Sequence, residues 1–147
     1  MRYRYLTPFI IICCLLYGCR LGQVGAGQKV CLRGQCFAVE IADTPAKWIR
    51  GLQERQNMPL DQGMLFVFPK SEPHIFWMKD TLIPLDMIWM DDSRRVIYIE
   101  KNAPPCLAEP CATFGSAYNN SLYVLELNSG QAEKIGLRPG EVLDFKF

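Results

Sequence analysis

The chain has 147 residues, which is enough for one domain. Its 16 basic and 15 acidic side chains leave a net charge of +1, and half of its residues are apolar. This composition excludes a wholly disordered or collagen-like chain, and no run of apolar residues is long enough to predict a membrane-spanning helix. Seven cysteines in so short a chain are the one unusual feature.

The first 18 residues have the pattern of an export signal. Two arginines precede an apolar stretch that is too short to cross a bilayer, and the stretch closes with the sequence LYGC at residues 16–19. A small residue before a cysteine resembles a bacterial lipobox, in which the cysteine is lipidated and becomes the new N-terminus. We therefore predict a lipoprotein signal peptide over residues 1–18, lipidation of Cys19 and a tether over residues 19–28. The alternative is a membrane stub or a plain secretory signal with an incidental cysteine.

The predicted anchor places the mature protein in the bacterial cell envelope, as a lipoprotein that faces the periplasm or the cell surface, with the outer membrane as one destination. Cleavage before Cys19 removes two arginines and no acid, which leaves 14 basic against 15 acidic residues. A slightly acidic domain with scattered bases is not typical of nucleic-acid binders. We expect the membrane as a partner through Cys19, a small molecule, glycan or envelope protein as ligand, and no nucleic acid.

The other four cysteines of the mature chain form two pairs with equal spacing, Cys31 with Cys36 and Cys106 with Cys111. An even number of cysteines in an exported protein favours disulfides, with a tetrathiolate zinc site as the alternative. The Arg-Gly pair between the first two cysteines can form a hairpin turn, which would place them opposite each other, about 4.5 Å apart at Cα. We predict two local structural disulfides, no metal and no other cofactor.

In the mature chain, short apolar stretches alternate with turn residues over residues 29–147, which indicates a mainly β domain. A short helix is predicted after the N-cap Thr44, with Pro45 in its first turn, and a second from Asn128 to Ile135. Strands are predicted at 29–32, 35–41, 64–68, 75–78, 85–90, 95–101, 122–127 and 141–147, with none over 102–121. The predicted fold is a single compact β-barrel or jelly-roll-like sandwich of seven or eight short strands with two short helices.

Several sequence motifs occur together in the middle of the chain. They are Gly51-Leu52 with Arg55, GMLF at 63–66, FWMKDT at 76–81 and PLD at 84–86. This combination resembles the domain of unknown function 192 family, and the similarity covers about residues 37–147. The resemblance implies a compact β-barrel or jelly-roll-like domain of small envelope-associated proteins, and it implies no reaction. Gln53 stands where the family has Met, and Asp80 where it has Asn.

The candidate ligand-binding residues are polar or aromatic side chains set among apolar strands. Lys79 and Asp80 are expected at a strand end, where a loop can present them to a ligand. Asp86 and Glu126 each lie between apolar neighbours within a strand, where an acid is expected to be paired or solvated. Arg55 and Lys79 are candidate cationic partners for these acids. The full set is Arg55, Trp77, Lys79, Asp80, Thr81, Asp86 and Glu126.

Three functions remain open from the sequence. The leading hypothesis is a lipid-anchored binding domain without catalysis, in which Trp77 and Tyr118 could flank a pocket that stacks on sugar rings. The second is a hydrolase-type enzyme that uses Lys79, Asp80 and Asp86 in a cleft at a strand end. The third is a structural accessory lipoprotein whose polar cluster only stabilises the barrel. No catalytic residue is assigned, because no hydrolase or phosphate-binding motif occurs.

Overall fold

The computed structural model describes residues 28–115, 117 and 119–146. The predicted signal peptide, Cys19, nearly all of the tether and Tyr118 lie outside these residues. Neither helix within the described residues is long and apolar enough to cross a membrane.

Nine strands and two short helices make up the described chain. The strands are β1 (Lys29–Leu32), β2 (Gln35–Ala42), β3 (Gln62–Pro73), β4 (Phe76–Trp77), β5 (Leu85–Met90), β6 (Val96–Ala103), β7 (Thr113–Phe114), β8 (Asn120–Asn128) and β9 (Asp144–Phe145). Helix α1 (Pro45–Arg50) follows β2, and helix α2 (Gln131–Lys134) follows β8. Seven strands form one sheet in the order β6-β5-β8-β3-β2-β1-β9, and β4 pairs with β7 in a second sheet. The predicted mainly β fold is confirmed.

The large sheet curls into a half-barrel, and the C-terminal segment joins its two edges at one end. β9 is one edge strand of the sheet and pairs with β1. Immediately before β9, Val142 forms a β-bridge with Arg95, and the Val96 N–H donates to the Glu141 carbonyl over 2.8 Å at the start of β6, the opposite edge strand. Residues 140–145 therefore link β1 to β6.

The first hairpin has the predicted geometry. Arg33 and Gly34 both have positive φ, 50° and 87°, as a two-residue type I′ turn requires. Cys31 and Cys36 are direct partners across the two strands and form a disulfide with a Cα–Cα distance of 4.1 Å. Cys106 and Cys111 form the second disulfide, with a Cα–Cα distance of 5.7 Å. Both predicted disulfides are confirmed.

Apolar side chains pack on both faces of the large sheet. One core contains Leu65, Ile88 and Leu125 together with residues of α2 and β9. The core on the other face contains Phe66 and Met87 and is covered by α1 and the small β4–β7 sheet. Consecutive residues of β3, β5 and β8 alternate between these two cores, because side chains of a strand point to opposite faces in turn.

Several predicted positions of strands and helices were wrong. The last strand, predicted over 141–147, covers only Asp144–Phe145. β3 is longer than predicted and continues through a register shift between Val67 and Glu72. α2 begins after Gly130, since the side-chain amide of Asn128 instead donates to the carbonyls of Met58 and Pro59. The two residues of β7 lie in the stretch for which no strand was predicted, because so short a strand leaves no periodic signal.

Candidate functional site

A narrow crevice opens between the C-terminal end of α1 and the segment after β4, and it reaches the carboxyl group of Glu126 on β8. We call it the Glu126 crevice; its cavity has a volume of about 30 Å³. It is lined by Trp48, Ile49, Arg50, Gly51, Leu52, Gln53, Phe66, Phe76, Trp77, Lys79, Thr81 and Glu126. Of the seven candidate ligand-binding residues, the crevice brings together Trp77, Lys79, Thr81 and Glu126.

Glu126 is buried, and one of its two carboxyl oxygens has no hydrogen-bond partner among the described residues. Its cross-strand neighbours are Met64 on β3 and Met87 on β5, and only 4% of the residue is exposed. Its Oε2 atom accepts no hydrogen bond from the described residues. Burial raises the pKa of Glu126 to about 8, and the positive charge of Arg55 opposes this rise only in part. The carboxyl group is therefore largely protonated at neutral pH, and it can donate a hydrogen bond.

Gly63 allows β8 to lie close to β3 beside this acid. A Cβ atom at position 63 would be 2.5 Å from the Glu126 carbonyl oxygen and 2.7 Å from a methyl carbon of Leu127. Because Gly63 has no side chain, the backbone of β8 at Glu126 can approach β3 this closely. In this position the Glu126 side chain lies on the face of the sheet that packs against α1.

α1 forms one wall of the crevice. Thr44 caps the helix, since its hydroxyl oxygen accepts from the Lys47 N–H, and Pro45 occupies the first turn, as predicted. No residue of α1 is fully buried. Trp48 holds the helix to the sheet, because its indole N–H donates to the Ala42 carbonyl over 2.9 Å and its ring lies 5.2 Å from that of Phe68.

The segment after β4 forms the opposite wall, and the second disulfide loop holds it in place. The Cys106 N–H donates to the Met78 carbonyl, and the Asp80 N–H donates to the Cys106 carbonyl. Lys79 Nζ lies 3.0 Å from Glu109 Oε1 in the same loop and 5.4 Å from the centre of the Trp77 ring. The hydrogen bond between Lys79 and Glu109 raises the pKa of Lys79 and lowers that of Glu109.

Asp80 and Glu54 join the two walls through their backbones. The Glu54 N–H donates to the Asp80 carbonyl over 2.8 Å. Both residues have a positive φ, 60° at Glu54 and 56° at Asp80. Asn and Asp both tolerate this left-handed conformation, so Asp80 satisfies the same backbone requirement as the Asn that the family pattern has there. Its side chain is exposed, outside the crevice lining.

Arg55 lines a neighbouring cleft between β2 and α1, whose volume is about 560 Å³. Its guanidinium donates two hydrogen bonds to Glu40, over 2.6 and 3.0 Å. The expected pairing of Arg55 and Lys79 with Asp86 or Glu126 was therefore wrong, because both bases bind nearer acids, Glu40 and Glu109. We place the candidate site in the smaller crevice, since its lining includes Glu126, whose buried Oε2 atom has no hydrogen-bond partner among the described residues.

Asp86 faces the opposite side of the sheet from Glu126. Its two carboxylate oxygens accept from the backbone N–H groups of Asn102 and Ala132, over 2.9 and 2.8 Å. This arrangement joins β5 to the end of β6 and the start of α2. The residues proposed for a hydrolase, Lys79, Asp80 and Asp86, therefore do not converge on one site.

Three of the four aromatic lining residues were not predicted as site residues. Trp48, Phe66 and Phe76 were assigned to a helix edge or to the core, and Trp77 alone was a candidate. Their positions in the crevice depend on the packing of α1 against β3 and β8, which no local pattern reveals. Within the described residues, no group of three or more His, Cys, Asp or Glu side chains is placed to hold a metal ion.

The chain is similar to one protein family and to proteins of known structure. The model of the DUF192 family, described as an uncharacterized ACR, matches residues 28–145. The chain is similar to the crystal structure of a putative transcription regulator from Sinorhizobium meliloti 1021, with 34% sequence identity and a TM-score of 0.73. The match covers 80% of this chain and 92% of that protein's chain. The chain is also similar to the crystal structure of a protein of unknown function from Novosphingobium aromaticivorans DSM 12444, with 32% sequence identity and a TM-score of 0.71. This match covers 80% of this chain and 82% of that protein's chain. No curated protein matches significantly.

Proposed function

Because the chain belongs to the DUF192 family, whose function is uncharacterized, we propose a function from its own site: a domain that binds a small ligand by taking one of its polar groups into the Glu126 crevice. The proposal includes no reaction. A small molecule, a glycan or an envelope protein that presents such a group would be a suitable ligand.

The buried Oε2 atom of Glu126, which has no hydrogen-bond partner among the described residues, is the observation that supports this proposal. A buried polar group without a hydrogen bond destabilises a fold by about 1–3 kcal/mol, and nearly all such groups in native proteins have a partner. The crevice leads from Glu126 to the surface beside Trp77, which is 49% exposed. A ligand group that bonds to Glu126 would satisfy the carboxyl group while Trp77 contacts the rest of the ligand.

A fragment screen tests this function. The purified chain is titrated with small alcohols, sugars, amides, amines and carboxylic acids, and the indole N–H signals of Trp48 and Trp77 are followed by NMR. We expect at least one class to shift both signals and to lose this effect in Glu126→Leu, whose side chain suits the neighbouring Met64 and Met87.

The control is Lys134→Gln, an exposed position on α2, which leaves the crevice lining unchanged. It should retain fragment binding. The proposal would be wrong if no class shifts the indole signals, or if Glu126→Leu binds the same fragments as the wild type.

We propose further that lipid on Cys19 holds this domain at a membrane of the bacterial envelope. The support is the sequence at residues 16–19 and the positive, apolar stretch before it. The three acyl chains of a mature lipoprotein would exceed the single chain that gives only reversible binding.

Mass spectrometry of the protein from bacterial membranes tests the anchor. We expect a mature N-terminus at Cys19 with a diacylglyceryl group and an N-acyl chain. The matched variant Cys19→Ser should lack this lipid. An N-terminus at any other residue, or Cys19 without lipid, would contradict the proposal.

A further inference from the structure

We propose, on the basis of the binding function above, that the group that enters the Glu126 crevice is an alkylammonium, that is, a protonated primary amine on a short apolar chain.

The charges around the crevice favour a cation. The three basic side chains beside it each bind a surface acid already. The pairs are Arg50 with Glu54, Arg55 with Glu40 and Lys79 with Glu109, at 2.9, 2.6 and 3.0 Å. An anionic ligand would have to displace one of these acids, and it would oppose the ionisation of Glu126. An ammonium group instead favours that ionisation, because it forms an ion pair with the carboxylate that remains once the proton has left.

The size and walls of the crevice fit the end of an alkylamine. A cavity of about 30 Å³ holds roughly two water-sized groups, which corresponds to a terminal CH₂–NH₃⁺. Aromatic rings attract cations over their faces, and the Trp77 ring already has the ammonium of Lys79 at 5.4 Å. At the mouth, Ile49 and Trp77 are 73% and 49% exposed, so they can cover the apolar chain of the amine.

Proton release accompanies amine binding at neutral pH. The charged groups around Glu126 are Arg50 on α1, Arg55 after it and Lys79 after β4, while its neighbours Met64 and Met87 do not titrate. Since burial raises the pKa of Glu126 to about 8, the free carboxyl group is protonated at pH 7. On binding, the ammonium keeps its proton and the carboxyl group releases its own to water, which leaves an ammonium–carboxylate pair.

This exchange sets the sign of the pH dependence. The affinity for an amine must rise with pH until Glu126 is ionised, at about pH 8. A neutral hydroxyl ligand can accept a hydrogen bond from the protonated carboxyl group or donate one to the carboxylate, so its binding does not require ionised Glu126. A rise of affinity by about tenfold per pH unit below pH 8 is therefore expected of the amine and not of the alcohol.

A matched series of probes tests the proposal: n-butylammonium, n-butanol and butyrate, titrated against the purified chain at pH 6, 7 and 8 with the indole signals of Trp48 and Trp77 as readout. Ligands of so few atoms bind with millimolar dissociation constants at best. We expect n-butylammonium to bind at least tenfold more tightly than the other two probes at pH 8. Its affinity should fall about tenfold between pH 7 and pH 6.

Variants change the amine affinity in opposite directions. Glu126→Gln removes the counter-ion and should reduce n-butylammonium binding at pH 8 at least tenfold. Lys79→Gln removes a competing cation and frees Glu109, so it should strengthen this binding several-fold. Lys134→Gln, on α2 and distant from the crevice lining, should bind as the wild type does.

Tighter binding of n-butanol or butyrate, or an amine preference that survives in Glu126→Gln, would overturn the amine proposal and leave the binding function in place. If none of the three probes and no fragment of the wider screen shifts the indole signals, both the amine proposal and the binding function are wrong.

Discussion

At Glu126 the free energy of folding depends on pH. The unfolded carboxyl group ionises near its ordinary pKa of 4.5, while burial raises the native pKa to about 8. Between these values the native state holds one proton more than the unfolded state, so stability falls as pH rises, by about 1.4 kcal/mol per pH unit for a single group. Below 4.5 and above 8 the contribution of this residue no longer changes.

Glu126→Gln should remove this dependence. The amide stays neutral at every pH, so the variant should gain stability relative to the wild type as pH rises from 5 to 8. The gain should then level off. Denaturant unfolding at pH 5, 6, 7, 8 and 9 measures the difference.

Glu133→Gln, an exposed acid on α2, is the control and should follow the wild-type profile. Parallel profiles for Glu126→Gln and the wild type would show that the carboxyl group is already ionised, or solvated, in the native state.

The sequence identified Glu126 as unusual, because an acid between Leu125 and Leu127 in a strand has to be explained. It did not identify the partner of Arg55. The Arg55–Glu40 pair depends on the parallel pairing of β2 with β3, which brings distant segments together across α1. Pairings of this kind are not visible in local spacing.

At the scale of elements, the β3–β8 contact depends on one missing side chain. Gly63→Ala would place a Cβ atom 2.5 Å from the Glu126 carbonyl oxygen, which is backbone and cannot rotate away. The strands would have to separate, and we expect a loss of about 1–3 kcal/mol in the free energy of unfolding. The separation would also shift the Trp48 and Trp77 indole signals.

Ser71→Ala, at an exposed position of the same strand, is the control for Gly63→Ala and should leave both quantities near their wild-type values. An unfolding free energy for Gly63→Ala within 0.5 kcal/mol of the wild type, the range usual for surface substitutions, would contradict the expected clash.

Elements with strong local chemistry were predicted well. The Thr44 cap and Pro45 mark the start of α1, and the Arg-Gly turn sets the register that makes the first disulfide possible. The start of α2 was predicted too early, because an Asn side chain can either cap a helix or bind a distant backbone group. The side-chain amide of Asn128 does the second, since it donates to the carbonyls of residues 58 and 59. Short-range sequence signals thus predict turns and helix caps, but they do not predict which side chains bind distant backbone groups.

At the scale of the whole molecule, the mainly β class follows from the alternation of short apolar stretches and turns, but the order of strands does not. Asp86 and Glu126 illustrate the difference: both looked like strand acids, and only the pairing of β5 with β8 shows that they face opposite sides. This order also prevents the expected hydrolase residues from meeting.

The link that residues 140–145 make between the two edges has a consequence for how the chain folds. β1 is the first strand of the described chain and β9 the last, so the contact between them joins residues more than 100 positions apart, such as Val30 and Phe145, and such distant contacts form slowly. Until then the backbone N–H and C=O groups along the outer edge of β1 lack strand partners and can pair with another chain. Within the described residues, the last strand is therefore the one that protects the first from aggregation.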